Sequence, residues 1–239
     1  LTEIASEAIN RGQRVLVIGH RIQLVRALCN RFGIDHIEEI RDSQTGGVLG
    51  YGLCIDSLHG KSKARFNPQD WQEAIIIFDE CEQVFWHLLN SATCQYNRVP
   101  ILENLKELVQ TVISTNGKIY LSDADLSPKS LNYIEQIINK PVERWILENT
   151  YLPNQGKRQL HLFDKPRQLL NQIFKAIEQK QPIIIHTSAQ KMTSKWSTQN
   201  IETLIRKQFP NLPILRIDSE SVGDPSHPAE PHQEREDPP

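Results

Sequence analysis

Short apolar runs that stop abruptly at a polar or charged residue recur along this chain, and they constrain its fold more than any other feature. Arg14–Ile18 (RVLVI), Ala74–Phe78 (AIIIF), Lys118–Leu121 (KIYL) and Pro182–His186 (PIIIH) are four of them. Runs this short, unbroken and rich in β-branched residues predict strands buried on both faces rather than half-buried alternating ones. Segments of helical spacing lie between them. Leu1–Asn10 reads as the end of a helix, and Arg21–Phe32 places Ile22, Val25, Leu28, Cys29 and Phe32 on one side with Gly33 as its C-cap. Ile101, Leu102, Leu105, Leu108, Val109, Val112 and Ile113 form an amphipathic stripe. Ser127 and Pro128 open a further helix in the order N-cap, then proline. Strands alternating with helices predict an α/β fold with a parallel sheet.

The alternation continues past a change of character at residues 140–158, where Pro141, Pro153, Asn154 and Gly156 collect. We therefore expect a first domain over 1–150, a connection over 151–158 and a second, incomplete α/β unit over 159–218. That unit would hold strands at Leu160–Phe163, Pro182–His186 and Ile214–Ile217, with helices at Arg167–Gln179 and Ile201–Phe209. Leu53–Ile55 is expected as one more brief strand of the first domain, after a Gly-rich turn. Residues 219–239 hold five of the 14 prolines and few apolar side chains, the composition of a disordered tail.

Composition removes several classes of protein. No apolar run approaches the roughly 20 residues that span a bilayer, and the first residues lack a signal-peptide layout, so no membrane partner is expected, while the usage of the four cysteines leads us to expect a cytoplasmic location. The only methionine is Met192, and the expectation is a piece of a longer protein. Cys29, Cys54, Cys81 and Cys94 contain no CxxC pair and are expected as reduced, buried thiols at a spacing that suits no zinc site. From Asp218 onward seven acids face one Arg, a balance of −6. The 27 basic and 29 acidic residues of the chain thus leave 26 and 22 over residues 1–217, a balance of +4. That excess permits nucleic-acid binding.

Chemistry concentrates at the ends of the apolar runs. Ile75–Glu82 (IIIFDECE) delivers two adjacent carboxylates from the carboxyl end of a buried strand. P-loop NTPases build their Walker B site this way: the first acid, here Asp79, holds Mg²⁺ against the phosphates and the second, Glu80, polarises the attacking water. The plainer alternative is an acidic N-cap for the next helix. Arg21 follows another strand, where free backbone N–H groups favour a phosphate. Ser57, with Lys61, Lys63 and Arg65 beyond it, offers hydroxyl and cationic contacts to a nucleic-acid backbone. Ser122, Asp123 and Asp125 end the next strand, where a turn is the alternative, and His186, Thr187 and Ser188 end one in the second unit. There is no GxSxG, no HExxH and no pair of histidines at ligand spacing. Trp71, Trp86, Trp145 and Trp196 are scattered, which favours packing over a base-stacking platform.

Taken in order, VLVIGHRIQLVRALCNRFGI, DECEQVFWHLLNSATC, KIYLSDADLS and PIIIHTSAQKMTSKW resemble the motor of superfamily-two helicases, two RecA-like domains with ATP between them. The likeness is strongest to cyanobacterial plasmid replication proteins of the RepA type, which are themselves similar to viral origin-binding helicases. The resemblance implies a P-loop NTPase fold, ATP and Mg²⁺ as cofactors, DNA as partner, and a primase or other replisome components nearby. It implies Asp79 as metal ligand and Glu80 as catalytic acid, with Ser122, Asp123 and Asp125 coupling the nucleotide to the second domain. It also implies that His20, Arg21, Ser57 and Leu58 contact DNA, and that His186, Thr187 and Ser188 begin the equivalent motif of the second domain.

The chain departs from that family in two places. No GxxxxGK[ST] loop and no arginine-finger helix occur in the 239 residues. Truncation accounts for both, and the piece itself is then expected neither to bind ATP tightly nor to hydrolyse it. The rival expectations are an origin-DNA-binding module with a decayed nucleotide site and a RecA-like scaffold.

Overall fold

Helices and long connections join successive strands of the first half, so all its strands can run parallel. The computed structural model describes residues 1–40, 49–151, 159–218 and 221. It divides into two units, Leu1–Ile146 and Leu147–Pro239. In the first unit α1 (Thr2–Asn10) leads to β1 (Val15–Gly19), α2 (Ile22–Phe32), β2 (Asp35–His36) and β3 (Gly50–Cys54). Then follow β4 (Ile75–Asp79), α3 (Cys81–Asn90), α4 (Arg98–Ser114), β5 (Lys118–Ser122) and α5 (Pro128–Ile138). The sheet order is β2-β3-β1-β4-β5, and every pairing is parallel.

Two covered faces explain the apolar runs of β1 and β4. Leu16, Ile18, Ile76 and Phe78 pack toward Val84, Phe85 and Leu88 of α3 and Ile101, Leu105 and Leu108 of α4. Their chain neighbours Val15, Val17, Ile75 and Ile77 face the opposite way, onto Ala5 and Ala8 of α1 and Leu28 and Phe32 of α2. Period-2 alternation therefore exists in β1 and β4, but both sides of it are apolar. Gly33 caps α2 in the left-handed conformation at φ 70°, as expected.

Three details of the first unit differ from the expectation. The strand expected over Leu53–Ile55 occupies Gly50–Cys54, and Ile55 instead opens a short 3-10 turn, Ile55–Ser57. Strand β2 was not anticipated, since two residues carry no periodicity. Trp71 is a core residue, but Trp86 and Trp145 are 66% and 89% exposed, against the expectation that the tryptophans pack.

The second unit is a larger correction. It contains α6 (Pro166–Glu178) and α7 (Thr198–Gln208) close to their expected places, with Phe174 and Phe209 in edge-to-face contact at 5.8 Å. No strand forms among its described residues, so Leu160–Phe163, Pro182–His186 and Ile214–Ile217 are not a sheet. An apolar run becomes a strand only when a neighbour satisfies its backbone, and here Leu160, Leu162 and Ile184 are 86%, 85% and 98% exposed. Most of the proposed connection and tail, residues 152–158, 219, 220 and 222–239, lies outside the described residues. No described helix is long and apolar enough to cross a membrane.

Glycine at β3 sets how closely α2 can approach the sheet. A Cβ on Gly52 would lie 2.6 Å from Val25 Cγ1 and closer still to Cys29 Sγ. Gly52→Ala is expected to cost about 1–3 kcal/mol in urea unfolding, as overpacked cores do. An unchanged midpoint would mean that α2 does not seat on β3 this closely.

Candidate functional site

Register brings the polar strand ends to one edge of the sheet. Gly19 pairs with Cys54, Ile18 with Phe78 and Asp79 with Ser122, so β3, β1, β4 and β5 finish level with one another. The residues that follow emerge side by side: Asp56 and Ser57 after β3, His20 and Arg21 after β1, Asp79 and Glu80 at β4, Ser122 and Asp123 at β5. The chain leaves β1 toward β2 and β3 on one side and later adds β4 and β5 on the other. Ligands of open parallel sheets bind at such a switch, outside the carboxyl ends of the strands.

Asp79 and Glu80 do not cap α3, which removes the plainer explanation for them. Glu80 occupies the N-cap position with no side-chain capping bond. The free amide of Glu82 is instead taken by Asp123 Oδ2 at 2.9 Å, from β5's end 41 residues away. Asp123 Oδ1 also accepts from the Asp125 amide at 2.9 Å. Both oxygens of Asp123 are thus committed to backbone, and its role here is to cap. Glu82 Oε1 in turn accepts from the Ser127 amide at 2.7 Å and joins α3 to the start of α5.

Glu80 sits in the left-handed region at φ 52°, ψ 50°. For a residue with a Cβ this costs roughly 1–2 kcal/mol, and such outliers cluster at functional sites. Among the described residues its carboxylate accepts a single long bond, from Gln83 Nε2 at 3.2 Å. Asp79 is half-buried. Burial pushes its carboxyl above the ordinary carboxylate range, although the Ser122 hydroxyl donates to it and Arg31 lies nearby.

A cleft of about 510 Å³ opens beside these residues, lined by His20, Arg21, Glu82, Gln83, Trp86 and His87. Arg21 is exposed at the N-cap of α2. His20 is partly buried, and among the described residues neither of its enclosed ring nitrogens has a hydrogen-bond partner. Burial, then Arg21 and His87, hold its pKa below the ordinary histidine value. Ser57 is half-buried and Lys61 exposed. Leu58, anticipated as a DNA contact, has no exposed surface, and its carbonyl accepts from Asn104 at 3.2 Å. A side chain enclosed in the core cannot touch a strand. In the second unit His186 and Ser188 are exposed, and Thr187 donates to the Ala189 carbonyl at 2.8 Å.

Two features escaped sequence reasoning. Trp86 presents an indole at the cleft, whereas a lone Trp in a helical pattern reads as core. The second feature gathers around Asp56, whose carboxylate takes His87 Nε2 at 3.0 Å, the Cys94 thiol at 3.2 Å and the Thr93 hydroxyl. Asp56, His87 and Cys94 offer ligand-type atoms that all lie within 4.8 Å of one another. Burial pushes the Asp56 carboxyl up, but the bonds from Thr93, Cys94 and His87 outweigh it and hold it below the ordinary range. Cysteine spacing alone could not reveal this cluster, because only one of its members is a cysteine.

Comparisons with known proteins give one informative match. No family model matches the chain, and no solved structure matches it. An uncharacterized protein of Picosynechococcus sp. strain PCC 7002 is 47% identical over 223 residues, which cover 90% of this chain and 22% of that protein. The chain therefore spans about a fifth of the length of this relative.

The buried position of Asp79 has a consequence for stability. A carboxyl whose pKa rises on folding holds its proton more tightly in the native state. Its contribution is full below the unfolded pKa, near 4, and is lost as pH rises through the folded value. Asp79→Asn is therefore expected to raise the urea midpoint at neutral pH, with the gain closing as pH falls through the carboxylate range. A loss of stability at neutral pH would contradict the burial argument.

Proposed function

We propose that this chain is part of an ATP-driven, Mg²⁺-dependent motor that moves on DNA, a helicase or translocase serving plasmid or origin replication. The observation that carries the reading is the pair Asp79–Glu80. It stands at the carboxyl end of a strand beside the sheet's switch point, with the structural duty of capping taken over by Asp123. A parallel sheet whose central strands are buried on both faces is compatible with a RecA-like P-loop NTPase domain.

In this reading Asp79 is the residue that holds Mg²⁺. The donor set suits a hard cation, for it consists of a half-buried carboxylate short of compensating charge and the Ser122 hydroxyl. When bound, Mg²⁺ neutralises charge developing on the transferred phosphate. Glu80, raised out of the helix by its left-handed backbone, accepts a proton from the attacking water and orients it. Arg21, exposed at the N-cap of α2, meets a phosphate of the nucleic-acid backbone, with Ser57 and Lys61 as further hydroxyl and cationic contacts. The GxxxxGK[ST] loop is not within these 239 residues, so turnover is assigned to the full-length protein.

The test is Glu80→Gln in the full-length protein. Substitution of a general base should lower ATP turnover by about 10²–10⁴-fold, while the dissociation constant for Mg·ATP stays within a few-fold of wild type. Unchanged ATPase activity would remove the proposed role of Glu80.

A further inference from the structure

We propose that Asp56, His87 and Cys94, with His20 as fourth ligand, form a binding site for a zinc-class divalent cation, separate from the carboxylates at the end of β4. The three residues come from different parts of the first unit. Asp56 lies in the turn after β3, His87 in the last turn of α3, and Cys94 in the loop between α3 and α4. Their placement together owes nothing to sequence proximity, since Asp56 is 31 residues from His87 and 38 from Cys94.

The spacing of the ligand atoms fits a tetrahedral ion. With metal bonds of about 2.0–2.3 Å, the ligands of such an ion stand roughly 3.3–3.8 Å apart. His87 Nε2 and Cys94 Sγ each lie 3.2 Å from the same Asp56 oxygen, Oδ1. All three ligand atoms lie within 4.8 Å of one another, so small side-chain rotations bring them to that spacing. His20 supplies the second observation. Its ring lies 6.2 Å from that of His87, and both its nitrogens are enclosed without a partner among the described residues. Two imidazoles on one tetrahedral ion have ring centres about 5 Å apart, within a small side-chain rotation of this arrangement. A hydrogen-bonded role for the cluster would account for Asp56, His87 and Cys94 but would leave His20 unpaired.

Ligand chemistry selects the cation. A thiolate, imidazoles and one carboxylate oxygen suit zinc and its neighbours, not Mg²⁺ or Ca²⁺, which require oxygen. On binding, Cys94 releases its thiol proton to solvent as the sulfur–metal bond forms, so uptake of each ion frees one proton from the cluster. The filled site would tie the ends of β1 and β3 to α3 beside the His20–Arg21–Trp86 cleft.

Cobalt(II) titration of the reduced, chelator-treated chain tests the site. One equivalent should give visible bands of tetrahedral intensity and a thiolate-to-cobalt charge-transfer band, both erased by Zn²⁺. Cys94→Ser, close to isosteric, should lose the charge-transfer band. His87→Ala and His20→Ala should each weaken cobalt binding by about tenfold or more. Zn²⁺ should also raise the unfolding midpoint of the wild-type chain and leave that of Cys94→Ser unmoved, which separates ligation from misfolding. The proposal is overturned by an octahedral spectrum, by a charge-transfer band that survives Cys94→Ser, or by wild-type affinity in His87→Ala. It is equally overturned by equal Zn²⁺ stabilisation of wild type and Cys94→Ser. Wild-type affinity in His20→Ala would strike His20 from the ligand set.

Discussion

Parallel pairing of β1 with β4, apolar on both faces, is the constraint from which the rest of the first unit follows. It forces every polar continuation to wait for the strand's end, because a charge placed earlier would be buried without a partner. Level register then sets those continuations side by side. A segment reading RVLVIGHR or AIIIFDE is thus a core strand and a site residue in one stretch. The same hydrogen bonds that stabilise the sheet hold the backbone of its site residues.

Capping across the sheet edge is what frees the acidic pair. A helix that begins right after a strand ordinarily uses the first available carboxylate for its own amides. In α3 that work falls to Asp123, delivered by the neighbouring strand. Asp79 is left facing Ser122, and Glu80 is left in a strained left-handed turn with a single weak side-chain partner among the described residues. Strain and burial are tolerated here because the flanking β4 and α3 are both firmly packed.

The elements legible in the sequence are those whose signal is local. Strands β1, β4 and β5 announce themselves as apolar runs, and α2, α4 and α5 by period and caps. Strand β3 was half-hidden because Gly50 and Gly52 replace apolar residues where β1 and α2 come close. The three runs of the second unit misled for the opposite reason: each has a strand's composition, but none has a paired neighbour among the described residues. The site divides the same way. The strand-end positions of Asp79, Glu80 and Arg21 could be read from the apolar runs that they follow. The capping duty of Asp123, the burial of Leu58 and the meeting of Asp56, His87 and Cys94 depend on contacts between distant segments, which no local pattern encodes.

The proposed motor requires coupling between a nucleotide bound at Asp79–Glu80 and a DNA strand held at Arg21, residues at the ends of neighbouring strands. Fluorescence anisotropy of a labelled single-stranded oligonucleotide with the full-length protein measures that coupling directly. It should be run with ADP, with a non-hydrolysable ATP analogue and without nucleotide, at two salt concentrations. A motor predicts a salt-sensitive affinity that differs between the nucleotide states. A salt-sensitive affinity identical in all three would identify a binding module without a working nucleotide site, and no binding at low salt would contradict the nucleic-acid assignment altogether.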